Sequence, residues 1–170
     1  RLGRIVQNDA HSQGLKPTQW EALRYIARAN RFSRNPRSLT RYLGMTKGTV
    51  SQTLSALEKK GLVLKSADAA DKRAVHLSLT GRGEALLKDD PLLEFERACQ
   101  NQTQDDIARR LENILRDILE ARGGRAFGMC KTCIHFQTNA PNAAPFFCGL
   151  LSEPLTAQDS EAICVEQKYA

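Results

Sequence analysis

Apolar residues recur at three- and four-residue intervals along most of this chain, which predicts a mainly helical protein. A first stripe covers residues 1–14. A second helix opens at Lys16 and Pro17 and ends near Asn30, with Pro at a first-turn position where its missing N–H costs nothing. Its apolar face is predicted to belong to the core and consists of Trp20, Leu23, Ile26 and Ala27.

Residues 38–60 predict two short helices around a glycine-centred turn, the layout that presents a helix to DNA. Ser38 is the expected cap of the first helix, Gly44 ends it, and Thr46 caps the second. The side chains expected to face inward are Leu39, Tyr42, Leu43, Val50, Leu54 and Leu57.

The outward side of the second helix is small and polar at its N-terminal end. Its members are Lys47, Gly48, Thr49, Ser51, Gln52 and Ser55. No acidic residue occurs between positions 46 and 57, whereas a helix facing plain solvent usually mixes Glu with Lys. Short side chains let the backbone approach a groove, so this face is predicted to meet base edges and phosphates.

Two short strands are predicted after Gly61, at residues 62–66 and 74–79. Val75, Leu77 and Leu79 are expected to face inward from the second strand. A two-stranded antiparallel ribbon after a recognition helix is a wing, so residues 38–79 predict a winged helix-turn-helix recognition unit.

Beyond the wing, Thr80 is expected to cap a further helix that Pro91 kinks or interrupts. The cleanest amphipathic segment follows Thr103 and Asp106, which form a capping pair, and stops at Gly123 and Gly124. Its apolar stripe consists of Ile107, Leu111, Ile114, Leu115, Ile118 and Leu119.

Charge is divided unevenly along the chain, whose overall net charge is +6. Residues 1–79 contain 15 Lys and Arg against 5 Asp and Glu, and residues 80–170 contain 10 against 14. The basic half is the expected partner of a polyanion, since neutralised phosphates release counterions. A hydrophobic fraction of 41% excludes a disordered chain, and no apolar run is long enough to span a bilayer, so a cytoplasmic protein is expected.

Residues 15–87 resemble the MarR family of bacterial transcriptional regulators. The likeness is carried by Gly48-Thr49-Val50-Ser51, by Leu57-Glu58-Lys59-Lys60-Gly61-Leu62-Val63, by Asp71-Lys72-Arg73 and by Leu77-Ser78-Leu79-Thr80-Gly81-Arg82-Gly83. The resemblance implies that Arg73 reaches the minor groove with help from Asp71, while residues 47–52 enter the major groove. The full set of expected DNA contacts is Ser38, Arg41, Thr46, Lys47, Gly48, Thr49, Ser51, Gln52, Ser55, Lys72 and Arg73.

The resemblance also implies a homodimer. In MarR-like proteins the terminal helices of two subunits interlock, so residues 1–14 and 104–122 are the expected dimer helices of a DNA-binding domain at 1–125. A two-fold dimer places its recognition helices about one DNA turn apart, roughly 34–36 Å, and predicts a near-palindromic operator.

Residues 126–170 form a cysteine-rich segment that the resemblance does not cover and that is expected to be irregular until cross-linked. Four cysteines, Cys130, Cys133, Cys148 and Cys164, are the expected metal ligands. One C-x-x-C pair with two isolated cysteines favours a 4Fe-4S cluster, in which each Cys binds a different iron. One alternative is structural zinc, which prefers two close pairs, and another is disulfides or free thiols.

The pattern C-x-x-C-x-x-F, followed by F-C and a later Cys, is also similar to the iron-sulfur-binding small subunits of certain glycyl-radical enzymes. An apolar jacket is expected around the cluster from Ile134, Phe136, Phe146, Phe147, Leu150 and Ile163. His135 is left out of the ligand set. Cys99 is expected to be a small buried side chain.

The sequence therefore predicts a homodimeric transcriptional regulator, in the form of a repressor, whose 4Fe-4S cluster senses iron, redox state or nitric oxide. One alternative is a MarR-type regulator with zinc in the tail and a small aromatic effector near Trp20, Tyr25 and Phe95. Another is an iron-sulfur electron carrier or enzyme subunit. No catalytic carboxylate pair, nucleophile motif or phosphate-binding glycine loop is present, so an enzyme is not expected.

Overall fold

A computed structural model describes residues 14–67, 75–90, 92–93, 96–97, 104–123, 127–139 and 144–169. Its helices are α1 (Pro17–Arg28), α2 (Pro36–Leu43), α3 (Lys47–Lys59), α4 (Gly81–Leu87), α5 (Gln104–Ala121) and α6 (Ala157–Ser160). Its strands are β1 (Val63–Ala67), β2 (Val75–Leu79), β3 (Gly128–Met129), β4 (Phe136–Gln137), β5 (Phe146–Cys148), β6 (Glu153–Leu155) and β7 (Ile163–Cys164). Several predicted features lie outside these residues: the first dimer helix, the wing tip with Asp71, Lys72 and Arg73, the side chains of Phe95 and Cys99, and the Thr103 cap.

The core forms where α1, α2 and α3 pack together against the base of the wing. Most residues of the predicted helical stripes supply it, because residues three and four positions apart share one face. Ala27 and Tyr42, which were also predicted to face inward, are exposed instead. Its most buried side chains, each at most 1% exposed, are Trp20, Leu23, Tyr25, Ile26, Leu39, Val50, Leu54, Leu57, Val63 and Leu77. The mainly helical fold and the helix-turn-helix prediction are confirmed.

The cap of α2 is Asn35, so the prediction of Ser38 was wrong. The Asn35 side chain accepts a hydrogen bond from the Ser38 backbone N–H at 2.9 Å. Pro36 occupies the first helical position, so the cap is the residue before it, Asn35. Gly44 ends α2 with a left-handed backbone (φ 62°), and Thr46 caps α3 as predicted.

The wing is an antiparallel pair in which Val63 lies opposite Leu79 and Ala67 opposite Val75. Leu77 is fully buried, but Val75 is 37% exposed, which contradicts its predicted inward position. The ribbon leaves the core beyond Leu77, so the alternation no longer decides burial. The wing's base is fixed by Leu77 N–H, which donates to the Arg34 carbonyl at 2.8 Å.

Helices α4 and α5 come after the wing in the chain. Helix α4 begins at its predicted Thr80 cap and ends at Leu87, short of Pro91. Helix α5 leaves its apolar stripe in solvent, with Leu111, Ile114, Leu115 and Ile118 between 44% and 58% exposed. Across the described ranges, no helix is both long and apolar enough to cross a membrane.

The cysteine-rich segment contains more regular structure than predicted. Strands β3 and β7 pair antiparallel, with Gly128 opposite Cys164, and β4, β5 and β6 form a three-stranded sheet in that order. Helix α6 begins with a capping box between Thr156 and Asp159. The expectation of an irregular segment was therefore wrong. The sequence shows no sign of these strands because two or three residues are too few to form an alternating pattern.

Gly83 tests how α4 is fixed under the wing. A Cβ atom there would overlap the Leu62 carbonyl, whereas a Cβ on Gly81 would meet nothing within 4 Å. We expect Gly83→Ala to lower the free energy of unfolding by about 1–3 kcal/mol, because backbone has to shift. The control Gly81→Ala, on the same helix turn, is expected to change it by no more than about 0.5 kcal/mol. Urea unfolding measures both variants, and equal stabilities would contradict this packing.

Candidate DNA-reading surface and four-cysteine site

The N-terminal half of α3 forms a continuous exposed polar surface. Thr46, Lys47, Gly48, Thr49, Ser51 and Gln52 are all exposed, and Ser55 is half-buried. The Thr46 hydroxyl accepts from the Thr49 backbone N–H at 3.2 Å, and the two hydroxyls are 2.9 Å apart. The structure thus brings seven of the predicted contact residues onto one face, which we call the reading face.

Of the four other predicted DNA contacts, two lie away from the reading face and two lie outside the described residues. Ser38 is buried, with 5% of its surface exposed. Arg41 donates to Glu166 of the cysteine-rich segment, with 3.0 Å between Nη1 and Oε1. Lys72 and Arg73 lie outside the described residues.

All four predicted cysteine ligands line one cavity. The cavity is also lined by apolar Phe136, Leu150, Leu151 and Leu155 and by polar His135 and Glu166. The cysteines come from separate elements: a 3₁₀ turn at Cys130–Thr132, the residue after it, the end of β5, and β7. All four are free thiols. Within the described part of the chain, no three His, Cys, Asp or Glu side chains are gathered as ligands of a single metal ion.

Cys130 and Cys164 are hydrogen-bonded to each other at the cavity. Donation from the Cys130 thiol lowers the pKa of Cys164 to about 6, and the same hydrogen bond raises the pKa of Cys130 above its usual value. Burial adds to the rise at Cys130 and opposes the lowering at Cys164, while hydrogen bonds from the Glu166 backbone, Asn30 and Ser33 support the Cys164 thiolate. The pair therefore favours one thiolate at neutral pH even without a metal.

N–H groups already point at two of the sulfurs. The Asn30 side-chain amide donates to Cys130 Sγ at 3.3 Å, and the Lys168 backbone N–H lies 3.5 Å from Cys133 Sγ. The Nε2 atom of His135 is buried without a hydrogen-bond partner among the residues that the structure describes. N–H donors around thiolates stabilise negative charge, which suits a site built to hold a cationic group.

Residues 29–35, which we call the junction turn, join α1 to α2 and hold the cysteine-rich segment. The Asn30 backbone N–H donates to the Ile163 carbonyl at 2.9 Å, and the Val165 N–H donates to the Ser33 hydroxyl at 3.0 Å. Arg31 pairs with Asp159 and donates to the Pro154 carbonyl at 2.6 Å. The cysteine site is thereby attached directly to the turn from which the helix-turn-helix starts.

The sequence reasoning missed Asn30, Ser33 and Glu166. Asn30 reads as an ordinary helix end, and nothing local shows that it faces a cysteine 100 positions away. Burial was the missing signal, because Asn30 and Ser33 are at most 1% exposed and buried polar groups need partners. Trp20 and Tyr25, named as possible effector contacts, are core residues with at most 1% exposure.

The MarR family model matches residues 13–74, which is less than half of the chain. No curated protein matches the chain. The structure of S. aureus MepR in its DNA-binding conformation aligns with a TM-score of 0.62 and 21% identity, covering 71% of this chain and 90% of MepR. The S. aureus MepR–DNA complex aligns with a TM-score of 0.57 and 22% identity, over 69% and 88% of the two chains.

A third solved structure is CouR from Rhodococcus jostii RHA1 bound to p-coumaroyl-CoA. It aligns with a TM-score of 0.54 and 20% identity, covering 67% of this chain and 80% of CouR. At sequence identities this low, the three structural alignments show a shared fold alone, and that fold is the winged helix.

Arg31 tests how firmly the cysteine-rich segment is docked. Its partner Asp159 has a side chain only 9% exposed, so Arg31→Met leaves a buried carboxylate without its cation. Because Arg31 itself is 41% exposed, we expect a loss of about 1–2 kcal/mol in the free energy of unfolding.

The matched control is Lys131→Met, which breaks the exposed Lys131–Glu161 pair of the same segment. It is expected to cost less than about 0.5 kcal/mol. Urea unfolding compares the two variants, and an Arg31→Met stability equal to that of Lys131→Met would contradict the docking.

Proposed function

We propose that this chain is a MarR-type DNA-binding transcriptional regulator, acting as a repressor, whose C-terminal segment holds a 4Fe-4S cluster that controls DNA binding. The observation that carries the proposal is that four cysteines line one cavity which is hydrogen-bonded to the junction turn of a winged helix-turn-helix. The match of residues 13–74 to the MarR family supports the DNA-binding part.

The reading face would enter the major groove. Its exposed hydroxyls and Gln52 suit base edges and phosphates, and Lys47 adds positive charge at the helix start. No carboxylate lies on α3 before Glu58, so a phosphate meets no like charge there. Lys72 and Arg73 keep their proposed roles in the wing.

The apolar stripe of α5 supports a two-fold dimer. Its four apolar side chains between Leu111 and Ile118 are about half exposed, which is costly in a monomer. A second copy of α5 would cover them and set the two reading faces for a near-palindromic site. S. aureus MepR, which shares the fold, has been solved in complex with DNA.

The four thiols around one cavity support the proposal of a cluster of iron and sulfide. Each of four thiolates would bind a different iron, so ligands from separate elements surround the group rather than converge on one ion. Apolar side chains such as Phe136 and Leu155 would limit its contact with water and with chemical reductants. A bound cluster supplies one-electron chemistry and sensitivity to oxidants and nitric oxide. Zinc in the same cavity is the alternative.

The link from the cysteines to DNA binding would run through two contacts. The junction turn touches Ile163 and Val165 on either side of the ligand Cys164. Glu166, two residues after that ligand, pairs with Arg41 of α2. A change in the conformation of Cys164 would therefore move groups that position α2 and compete for Arg41.

A small-molecule effector is a second candidate. An open cleft lies between α1, α2 and α5, and it is lined by charged and aromatic side chains including Arg24, Tyr42, Arg116 and Phe127. This mixture suits an aromatic anion. CouR, of the same fold, was solved with p-coumaroyl-CoA. An electron carrier of another class is the third candidate and would require no sequence-specific DNA binding.

Metal and sulfide analysis of protein purified without oxygen tests the cluster. We expect about four iron and four labile sulfide per chain, lost in Cys148→Ser and kept in the control Cys99→Ser. Bound duplexes selected from a random library should share a near-palindrome, with holo and apo affinities at least about fivefold apart. One zinc per chain without sulfide would overturn the cluster, and equal binding to all duplexes would overturn the regulator.

Glu166 provides a sharper test of the link. In Glu166→Gln, Arg41 loses its counter-charge and becomes available to a phosphate, so non-specific DNA affinity should rise. The slope of log K against log salt should steepen by about 0.9 for each bound subunit, the effect of one added phosphate contact.

The matched control is Glu161→Gln, which removes the same charge from the same segment but frees only Lys131. It is expected to leave the salt slope unchanged. Identical slopes for the two variants would contradict competition for Arg41.

A further inference from the structure

Asn30 is the residue at which the DNA-binding unit touches a predicted cluster ligand. It follows the end of α1 and is only 1% exposed. Ala29 and Ile163 form a parallel bridge beside it, and the Asn30 backbone N–H donates to the Ile163 carbonyl at 2.9 Å. Its main chain is thus fixed to β7, the strand that carries Cys164.

The Asn30 side chain has a defined orientation. Its Oδ1 accepts from the Ser33 backbone N–H at 3.0 Å, and its Nδ2 donates to Cys130 Sγ at 3.3 Å. The reverse orientation would place two donors together at Ser33 and an acceptor against the sulfur. The local turn therefore forces the N–H group towards the cysteine cavity.

The same short turn also contacts the DNA-reading elements. Tyr25 donates its hydroxyl to the Ser33 carbonyl at 2.8 Å, and the Arg34 carbonyl accepts from Leu77 in the wing. Asn35 then caps α2. Six consecutive residues thus connect the cavity with the wing and with the first helix of the reading unit.

Resting on the proposed function, we propose that Asn30 is a positioning residue for the bound cluster, donating an N–H to the Cys130 sulfur and coupling that ligand to the junction turn. Hydrogen bonds to ligand sulfurs stabilise the more negative, reduced state and raise the reduction potential. When the cluster is lost, the junction turn loses a fixed partner.

Asn30→Asp is the direct test, because it keeps the shape and the acceptor for Ser33 while it removes the donor and adds negative charge. In an anaerobic titration, dithionite supplies one electron to each cluster, and the midpoint should fall by at least the equivalent of tenfold, about 59 mV. Asn30→Ala, which removes the donor without adding charge, should shift the midpoint in the same direction by a smaller factor.

Asn35→Asp is the matched control. It is the same substitution in the same turn and keeps the cap on α2, and its hydrogen bonds go to Phe32 and Ser38 rather than to a cysteine. Its midpoint potential should differ from that of the parent by less than the equivalent of a twofold change in the reduction equilibrium constant. In both Asn30 variants the factor that separates the holo and apo DNA affinities should shrink at least threefold relative to the parent.

Two results overturn the proposal in different ways. A parent protein that contains zinc and no labile sulfide overturns the proposed function together with the role of Asn30. A parent that contains the cluster, with both Asn30 variants at the parental midpoint and the parental affinity ratio, overturns the role of Asn30 alone. If one Asn30 variant does not assemble a cluster, the midpoint potential of the other variant decides whether Asn30 has the proposed role.

Discussion

The docking of β7 against the junction turn fixes the position of the cysteine site relative to the helix-turn-helix. Asn30 and Ser33 receive the strand's backbone groups in a buried setting, where an unmade hydrogen bond costs about 1–3 kcal/mol. Because Cys164 lies in that strand, the arrangement of the cysteines and the start of α2 are fixed by the same contacts. A separate tail on a flexible linker would have no such consequence.

Polar residues at the junction have two roles that an apolar interface would separate. Asn30 satisfies a turn and a cysteine sulfur with one amide, and Arg41, the proposed phosphate contact, pairs with Glu166. Apolar packing holds elements together without preferring one charge state. Hydrogen bonds and ion pairs respond to charge at the cysteines, so they suit a regulator whose signal is gain or loss of a charged group.

Much of the reading unit was predictable because its signals are local. Periodic apolar residues defined α1 to α3, and Gly44 and Thr46 marked the turn between them. Predictions failed where two local signals competed, as at Ser38 and Asn35, or where tertiary exposure decided, as at Val75. The four cysteines were found from spacing, but the partners that Asn30 and Glu166 provide depend on contacts 100 or more residues apart in sequence, which no periodicity records.

The most direct test is residue-resolved amide hydrogen exchange of the protein with and without the proposed cluster. The N–H groups of Asn30 and Val165 cross the junction in opposite directions, so they report docking from both sides. The account predicts that cluster removal accelerates exchange at both amides and in the first turn of α2. Acceleration confined to residues 127–139 and 144–155, with Asn30, Val165 and α2 unchanged, would contradict it.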